Sequence, residues 1–158
     1  MLEQKILAGQ YQLQLALRIS GIGKHDSEVV TAGNPAGLSV NYEEVDVKLV
    51  HERTGGLYAQ TVDGAIMYIG KFGTSLKNRS LYASKKTIYH QNKCKMFQTL
   101  ETDPSAEIAI YVITKQNVIL ALGISSSKLW EKYFNLEVAE SDLIGELNPP
   151  WNTQNRTG

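Results

Sequence analysis

Two tyrosines, Tyr58 and Tyr68, stand ten residues apart in the stretch GGLYAQTVDGAIMYIGKFG, Gly55 to Gly73. A phenol donates and accepts hydrogen bonds at one oxygen. Its ordinary pKa of about 10 makes it a poor base at neutral pH unless a neighbouring cation favours the ionised form. Two phenols can orient and activate a water or an anionic oxygen only where they converge. Basic residues follow at once: Lys71, Lys77, Arg79, Lys85, Lys86, Lys93 and Lys95 fall between positions 71 and 95 with no Asp or Glu among them. Such a run offers a local positive field to a phosphate chain although the whole chain has a formal net charge of zero. From Met96 to Gly158 the balance reverses, with eight acids against four bases.

The element that must position the tyrosines reads as a β-hairpin: LYAQTV, an Asp63-Gly64 turn, then AIMYIGKF. Side chains alternate faces along a strand, so the register decides whether the phenols meet. A two-residue turn at Asp63-Gly64 pairs Val62 with Ala65 and sends the tyrosines to opposite faces. A three-residue loop closed by Gly64 pairs Tyr58 directly with Tyr68. Asp-Gly suits both, and both remain open at this point.

Around the hairpin, residues 3 to 18 carry apolar positions that suit an amphipathic helix weakened by Gly9. Residues 19 to 40 are glycine-rich and interrupted by Pro35, with one short strand expected at Glu28 to Thr31. SVNYEEVDVKLV, 39 to 50, reads as a strand or strand-like arm. A basic helix is expected from Ser75 to about Gln91, capped by Thr74 or Ser75. AEIAIYVIT, 106 to 114, is the strongest core strand, and Asn117 to Gly123 reads as a further short one. The segment from Ser125 to Asn148 reads as one helix, or two short ones bending near Asn135, stopped by Pro149 and Pro150.

With 158 residues, 42% of them hydrophobic, the chain suits one compact core with extensions. The single cysteine, Cys94, excludes an intramolecular disulfide, and three scattered histidines form no zinc-ligand spacing. A reducing, intracellular setting is expected. No apolar run approaches a membrane span, and the first residues lack a signal-peptide pattern. GKFGTS has the wrong spacing for a P-loop, which argues against a nucleotide or phosphotransfer enzyme.

The ordered set GLY at 56 to 58, YIG at 68 to 70, Arg79 after a helix start, Glu140, and Asn152 within NPPWN resembles the GIY-YIG nuclease family. Its ELNPPWNTQ coda is similar to the small phage endonuclease II branch, and the likeness spans roughly Gly55 to Gln154. Leu57 replaces the usual isoleucine. The resemblance implies an α+β fold: a small, mostly antiparallel sheet with a three-stranded core flanked by helices. Residues 1–54 would be an N-terminal extension of helix and strand that packs on the core or contacts DNA, 55–154 the nuclease core, and 155–158 a flexible tail. It also favours the register in which the tyrosines lie together.

The activity so implied is hydrolysis of DNA phosphodiesters, dependent on Mg2+ or Mn2+. Tyr58 and Tyr68 would orient or activate the attacking water, with Lys71 assisting. Lys71, three residues beyond Tyr68, reaches the same cleft only if the strand departs near Gly70 and Gly73, or through a water. Arg79 presents a planar fork to phosphate oxygens. Tyr82, one turn further, would contact phosphate or water. Glu140 would hold the metal, for which one carboxylate suffices because magnesium keeps waters and takes substrate oxygens. Asn152 would orient Glu140 or bind backbone groups, with Trp151 anchoring the turn. Lys77, Lys85, Lys86, His90, Lys93 and Lys95 would line the path of the nucleic acid. Double-stranded DNA is the implied partner, with a dimer or tetramer needed for a double-strand cut, in the cytoplasm of a bacterial or phage-infected cell. The competing readings are an inactive nucleic-acid-binding module of the same fold and an RNA-directed nuclease.

Overall fold

Tyr11 to Ile19 reads Tyr-Gln-Leu-Gln-Leu-Ala-Leu-Arg-Ile, which alternates apolar and polar side chains as a strand does. The computed structural model describes residues 2–24, 38–77, 91–124 and 128–153, with backbone only at 22–24, 38–40 and 91–94. In it this segment is a long strand, β2 (Tyr11–Lys24), paired with β1 (Lys5–Ala8). Ala8 faces Tyr11 across a turn of Gly9 and Gln10, and Gly9 takes the left-handed φ of +59° that the turn requires. The helix expected over residues 3 to 18 is therefore a β-hairpin. Glutamines at alternate positions point outward, and helix propensity gives way to burial of Leu13, Leu15 and Leu17 on the sheet.

Four further strands complete one antiparallel sheet: β3 (Leu38–Glu44), β4 (Gly56–Val62), β5 (Ala65–Phe72) and β6 (Ile108–Thr114). The order is β1-β2-β6-β4-β5, and β3 pairs with β2 beyond β1 on the same edge. A three-stranded core was expected; β6, β4 and β5 are adjacent strands of a larger antiparallel sheet. The N-terminal residues extend it to six strands, because β2 pairs directly with β6. The fold is α+β, an antiparallel sheet flanked by helices.

The arm expected over 39 to 50 is half strand. β3 ends at Glu44, and Asp46 caps a short helix, α1 (Val47–His51), by accepting a hydrogen bond from the Leu49 N–H at 3.0 Å. After β6, Asn117 to Gly123 is not a strand. Thr114 accepts from the Asn117 N–H and starts α3 (Lys115–Ala121), which buries Val118 and Ile119; short apolar runs of this kind fit either structure. Helix α2 (Gln91–Thr102) precedes β6. The last segment forms α4 (Lys128–Tyr133) and α5 (Leu136–Leu147), separated at Asn135, whose side chain accepts from the Glu137 N–H at 2.9 Å. Helix α5 stops at Asn148, in the left-handed conformation, just before the two prolines. The strand expected at 28 to 31 and most of the helix expected at 75 to 91 lie outside the described residues.

Both faces of the central strands are buried, so the core is double. One face joins Tyr58, Phe72, Ile108, Ile110 and Val112 to Met96 and Leu100 of α2, with Leu76 and Trp151. The other joins Leu57, Ala59, Ile69, Tyr111 and Ile113 to Val118 of α3 and Ala139, Leu143 and Ile144 of α5. Among the described residues no helix is long and apolar enough to cross a membrane.

Candidate active site

The β4–β5 turn has two residues. Val62 faces Ala65, and Asp63 and Gly64 take φ of +50° and +85°, the mirror-image turn that Asp-Gly favours. Continued regularly, that register would place Tyr68 opposite Ala59 and separate the tyrosines. It is not continued, because a β-bulge at Met67 shifts the pairing between Gln60 and Thr61. Met67 and Tyr68 then share one face, Tyr68 stands opposite Gln60, and Tyr58 stands opposite Gly70. The tyrosines therefore meet by neither simple register. They lie diagonally on one face, ring centroids 5.9 Å apart and planes tilted by 41°. Phe72 continues the row, 6.4 Å from Tyr58.

Gly70 is what lets them do so. A Cβ built there would meet the Tyr58 ring, with the phenolic oxygen at 2.5 Å and Cε1 at 2.6 Å. Tyr58 lies flat across the bare backbone of the opposite strand and is 0% exposed, whereas Tyr68 is half-buried. Neither register open in the sequence sets Gly70 opposite Tyr58, and a glycine inside a strand marks a bulge, a bend or a close approach alike, so the sequence did not single out this contact. The role that sequence reading gave Gly70, letting the strand depart so that Lys71 could turn toward Tyr68, does not match the geometry. Pairing is regular from Tyr68 to Phe72, and Lys71 emerges on the opposite face, its Nζ 3.8 Å from Oε2 of Glu137 in α5.

Asn152 comes to the same strand from the chain's other end. Its Oδ1 accepts from the Ile69 N–H and its Nδ2 donates to the Ile69 carbonyl, both at 2.9 Å, and it is buried. The Trp151 N–H donates to the Met67 carbonyl at 2.8 Å. Pro149 to Asn152 thus satisfies the outer edge of β5 as a strand would, and does so at the bulge. Of the two expected tasks for Asn152, backbone binding is the one seen. Trp151 is a packing anchor in the tyrosine-side core.

Glu140 sits on α5 beside Ala139 and one turn from Leu143 and Ile144, the residues that seat the helix on the sheet face opposite Tyr58 and Tyr68, so the helix does not carry it onto the face the phenols share. It is 7% exposed and is not without an interaction partner. Among the described residues no three His, Cys, Asp or Glu side chains gather into a group that could hold a metal ion. Arg79, Tyr82, Lys85, Lys86 and His90 lie outside the described residues, as does the side chain of Lys93.

Lys77, expected on the nucleic-acid path, is engaged within the protein. Its Nζ donates to the Tyr42 hydroxyl at 2.8 Å, lies 3.5 Å from Glu44 Oε1, and stands over the Tyr42 ring. The hydrogen bond to Tyr42 raises the Lys77 pKa, with the Glu44 charge adding to it. Glu44 also receives His51 Nε2 at 3.0 Å, which together with Lys77 lowers its pKa. Sequence reading missed this cluster, since β3 and the start of the basic segment are more than thirty residues apart. Lys95 is half-buried beside Trp151 and Asp103.

Fold and site together describe an α+β protein with an antiparallel sheet and a glycine-backed tyrosine pair. Compared with known families, curated proteins and solved structures, the chain returned no match.

Proposed function

We propose that the chain is a divalent-metal-dependent endonuclease of the GIY-YIG type acting on double-stranded DNA. The observation that carries this reading is the convergence of Tyr58 and Tyr68 on one face, made by a bulge and by a glycine in YIG that leaves room for the first tyrosine's ring. Packing alone would not require this arrangement, because an ordinary aliphatic pair fills a regular sheet face.

In this reading Tyr68, the more accessible phenol, orients the attacking water toward phosphorus, and buried Tyr58 holds it in position. Arg79 contacts the phosphate oxygens. The resemblance assigns the carboxylate for Mg2+ or Mn2+ to Glu140, which α5 carries on the other side of the sheet from the phenols, so that its oxygen would reach a shared phosphate only past the β5 edge, and Asn152 fixes the β5 backbone beneath the phenols. A bound divalent ion supplies charge compensation for the pentavalent phosphorus and the departing 3′-oxygen. Lys71, on the far face, acts on the position of α5 through Glu137 rather than on the phosphate.

The test is cleavage of a supercoiled plasmid with Mg2+ or Mn2+, followed by mapping of the ends. Tyr68→Phe and Glu140→Gln should each lower the single-turnover rate about 100- to 10,000-fold while leaving the fold intact. Leu13→Ala, in β2 rather than on α5, should cost about 2–5 kcal/mol of stability but leave the rate per folded molecule unchanged. A wild-type protein that binds DNA and never cuts it with either metal would make the chain a binding module and end the nuclease reading.

A further inference from the structure

Nine large apolar side chains are exposed among the described residues, and six of them fall within one short stretch: Leu120, Leu122, Leu129, Trp130, Tyr133 and Val138. They are between 38% and 69% exposed. Helix α4 buries none of its residues although it carries Leu129, Trp130 and Tyr133. At about 150–250 Å² for each large side chain the patch offers on the order of 600 Å², most of the roughly 800 Å² that each partner contributes to a standard interface. Isolated exposed leucines need no explanation, but six exposed apolar side chains on or at the end of three successive helices, with Leu122 and Val138 lining one hollow, do.

Beside the projecting helix is a groove of about 260 Å³ whose lining includes Tyr11, Leu122, Phe134 and Val138. A single face thus combines a ridge and a hollow. The ridge carries Lys128 and Lys132 with Glu131 between them, a net positive charge, and the hollow is lined by the carboxylates of Asp142 and Glu146. A surface with both halves of a fit in shape and in charge is complementary to itself under a two-fold rotation. We infer that this face docks a second copy of the chain, α4 of each protomer lying in the α5 groove of the other, with Lys128 and Lys132 against the partner's acidic lining. This inference does not depend on the nuclease reading, because it uses no residue of the tyrosine site.

Sedimentation of the full chain without DNA or divalent metal tests it. The expected mass is twice the 17.5 kDa of one chain, falling to one chain on dilution. Leu129→Asp with Tyr133→Asp should weaken association roughly 30-fold or more. Lys128→Glu with Lys132→Glu should also weaken it, as should Asp142→Lys with Glu146→Lys. An equimolar mixture of those two charge-reversed proteins should regain the doubled mass, which misfolded variants could not do. A wild-type protein that stays monomeric at its highest soluble concentration would overturn the inference. So would a dimer indifferent to all three variants, or charge-reversed proteins that fail to pair.

Discussion

The two faces of the β4–β5 hairpin are built from the same residues in alternation, yet they are specified differently. The α5 face takes Leu57, Ala59 and Ile69 and closes them under Ala139, Leu143 and Ile144, an aliphatic contact that any regular register would provide. The other face carries Tyr58, Gln60, Tyr68 and Phe72, and its arrangement rests on two departures from regularity, the Met67 bulge and the missing Cβ of Gly70. Periodicity specifies a packing face. A face that brings two phenols together needs exceptions placed at single residues.

The sharpest way to break this difference is at Asn152, which holds the backbone between the faces. Asn152→Ala leaves the Ile69 N–H and carbonyl without their partner in a buried setting, and should cost about 2–4 kcal/mol in urea unfolding. Asn152→Asp should recover little of it. The carboxylate can still accept from the N–H, but it faces the carbonyl with a second acceptor. If Asn152→Ala changes stability by less than about 0.5 kcal/mol, the segment after Pro150 does not anchor β5.

A smaller effect separates a glycine required by contact from one that is not. Gly70→Ala drives a methyl group into the Tyr58 ring and should destabilise by about 1–3 kcal/mol. Gly73→Ala, where an added Cβ meets nothing within 4 Å, should stay within about 0.5 kcal/mol. The decisive arm is the double mutant: with Tyr58→Ala in place, the cost of Gly70→Ala should disappear, since the two positions couple through direct contact. A penalty that survives removal of the ring would mean that Gly70 serves the backbone, as sequence reading had it.

How far the sequence could be read follows the same division. β6 was legible because IAIYVIT is a nearly continuous apolar run rich in β-branched residues, whereas the segment after Ser125 was legible only as one helix or two, and capping by Asn135 decides for two. β2 was misread although its alternation from Tyr11 to Ile19 is nearly strict. Ala16 sits where a second bulge shifts the pairing with β6, and there the apolar residues run on without a polar one between them, as on a helix. The convergence of Tyr58 and Tyr68 was legible only as a pair of alternatives, because nothing local announces a bulge at Met67. The cluster of Tyr42, Glu44, His51 and Lys77 was out of reach, since it depends on where β3 is laid against the sheet.

That cluster borders the tyrosine face, where Tyr42 packs against the core containing Tyr58, and it gives the two faces different responses to acid. The hydrogen bond from His51 and the charge of Lys77 hold the Glu44 carboxyl below its ordinary value of 4.5. A carboxyl whose folded value is depressed contributes its stabilisation in full above the unfolded value, and loses it as pH falls through the folded one. Wild type should therefore exceed Glu44→Gln in stability at neutral pH by at most about 1 kcal/mol, because His51 and Lys77 are partly solvated and salt-screened. The difference should shrink as the pH is taken below 4.5 and be gone once Glu44 is protonated in the folded protein. On the α5 face, Glu137 meets Lys71 at 3.8 Å with both side chains well exposed, and Glu137→Gln should change stability by less than Glu44→Gln at neutral pH. Equal effects at the two sites, or a Glu44 effect that persists in acid, would mean that the cluster does not hold β3 and α1 against the tyrosine face through its charges.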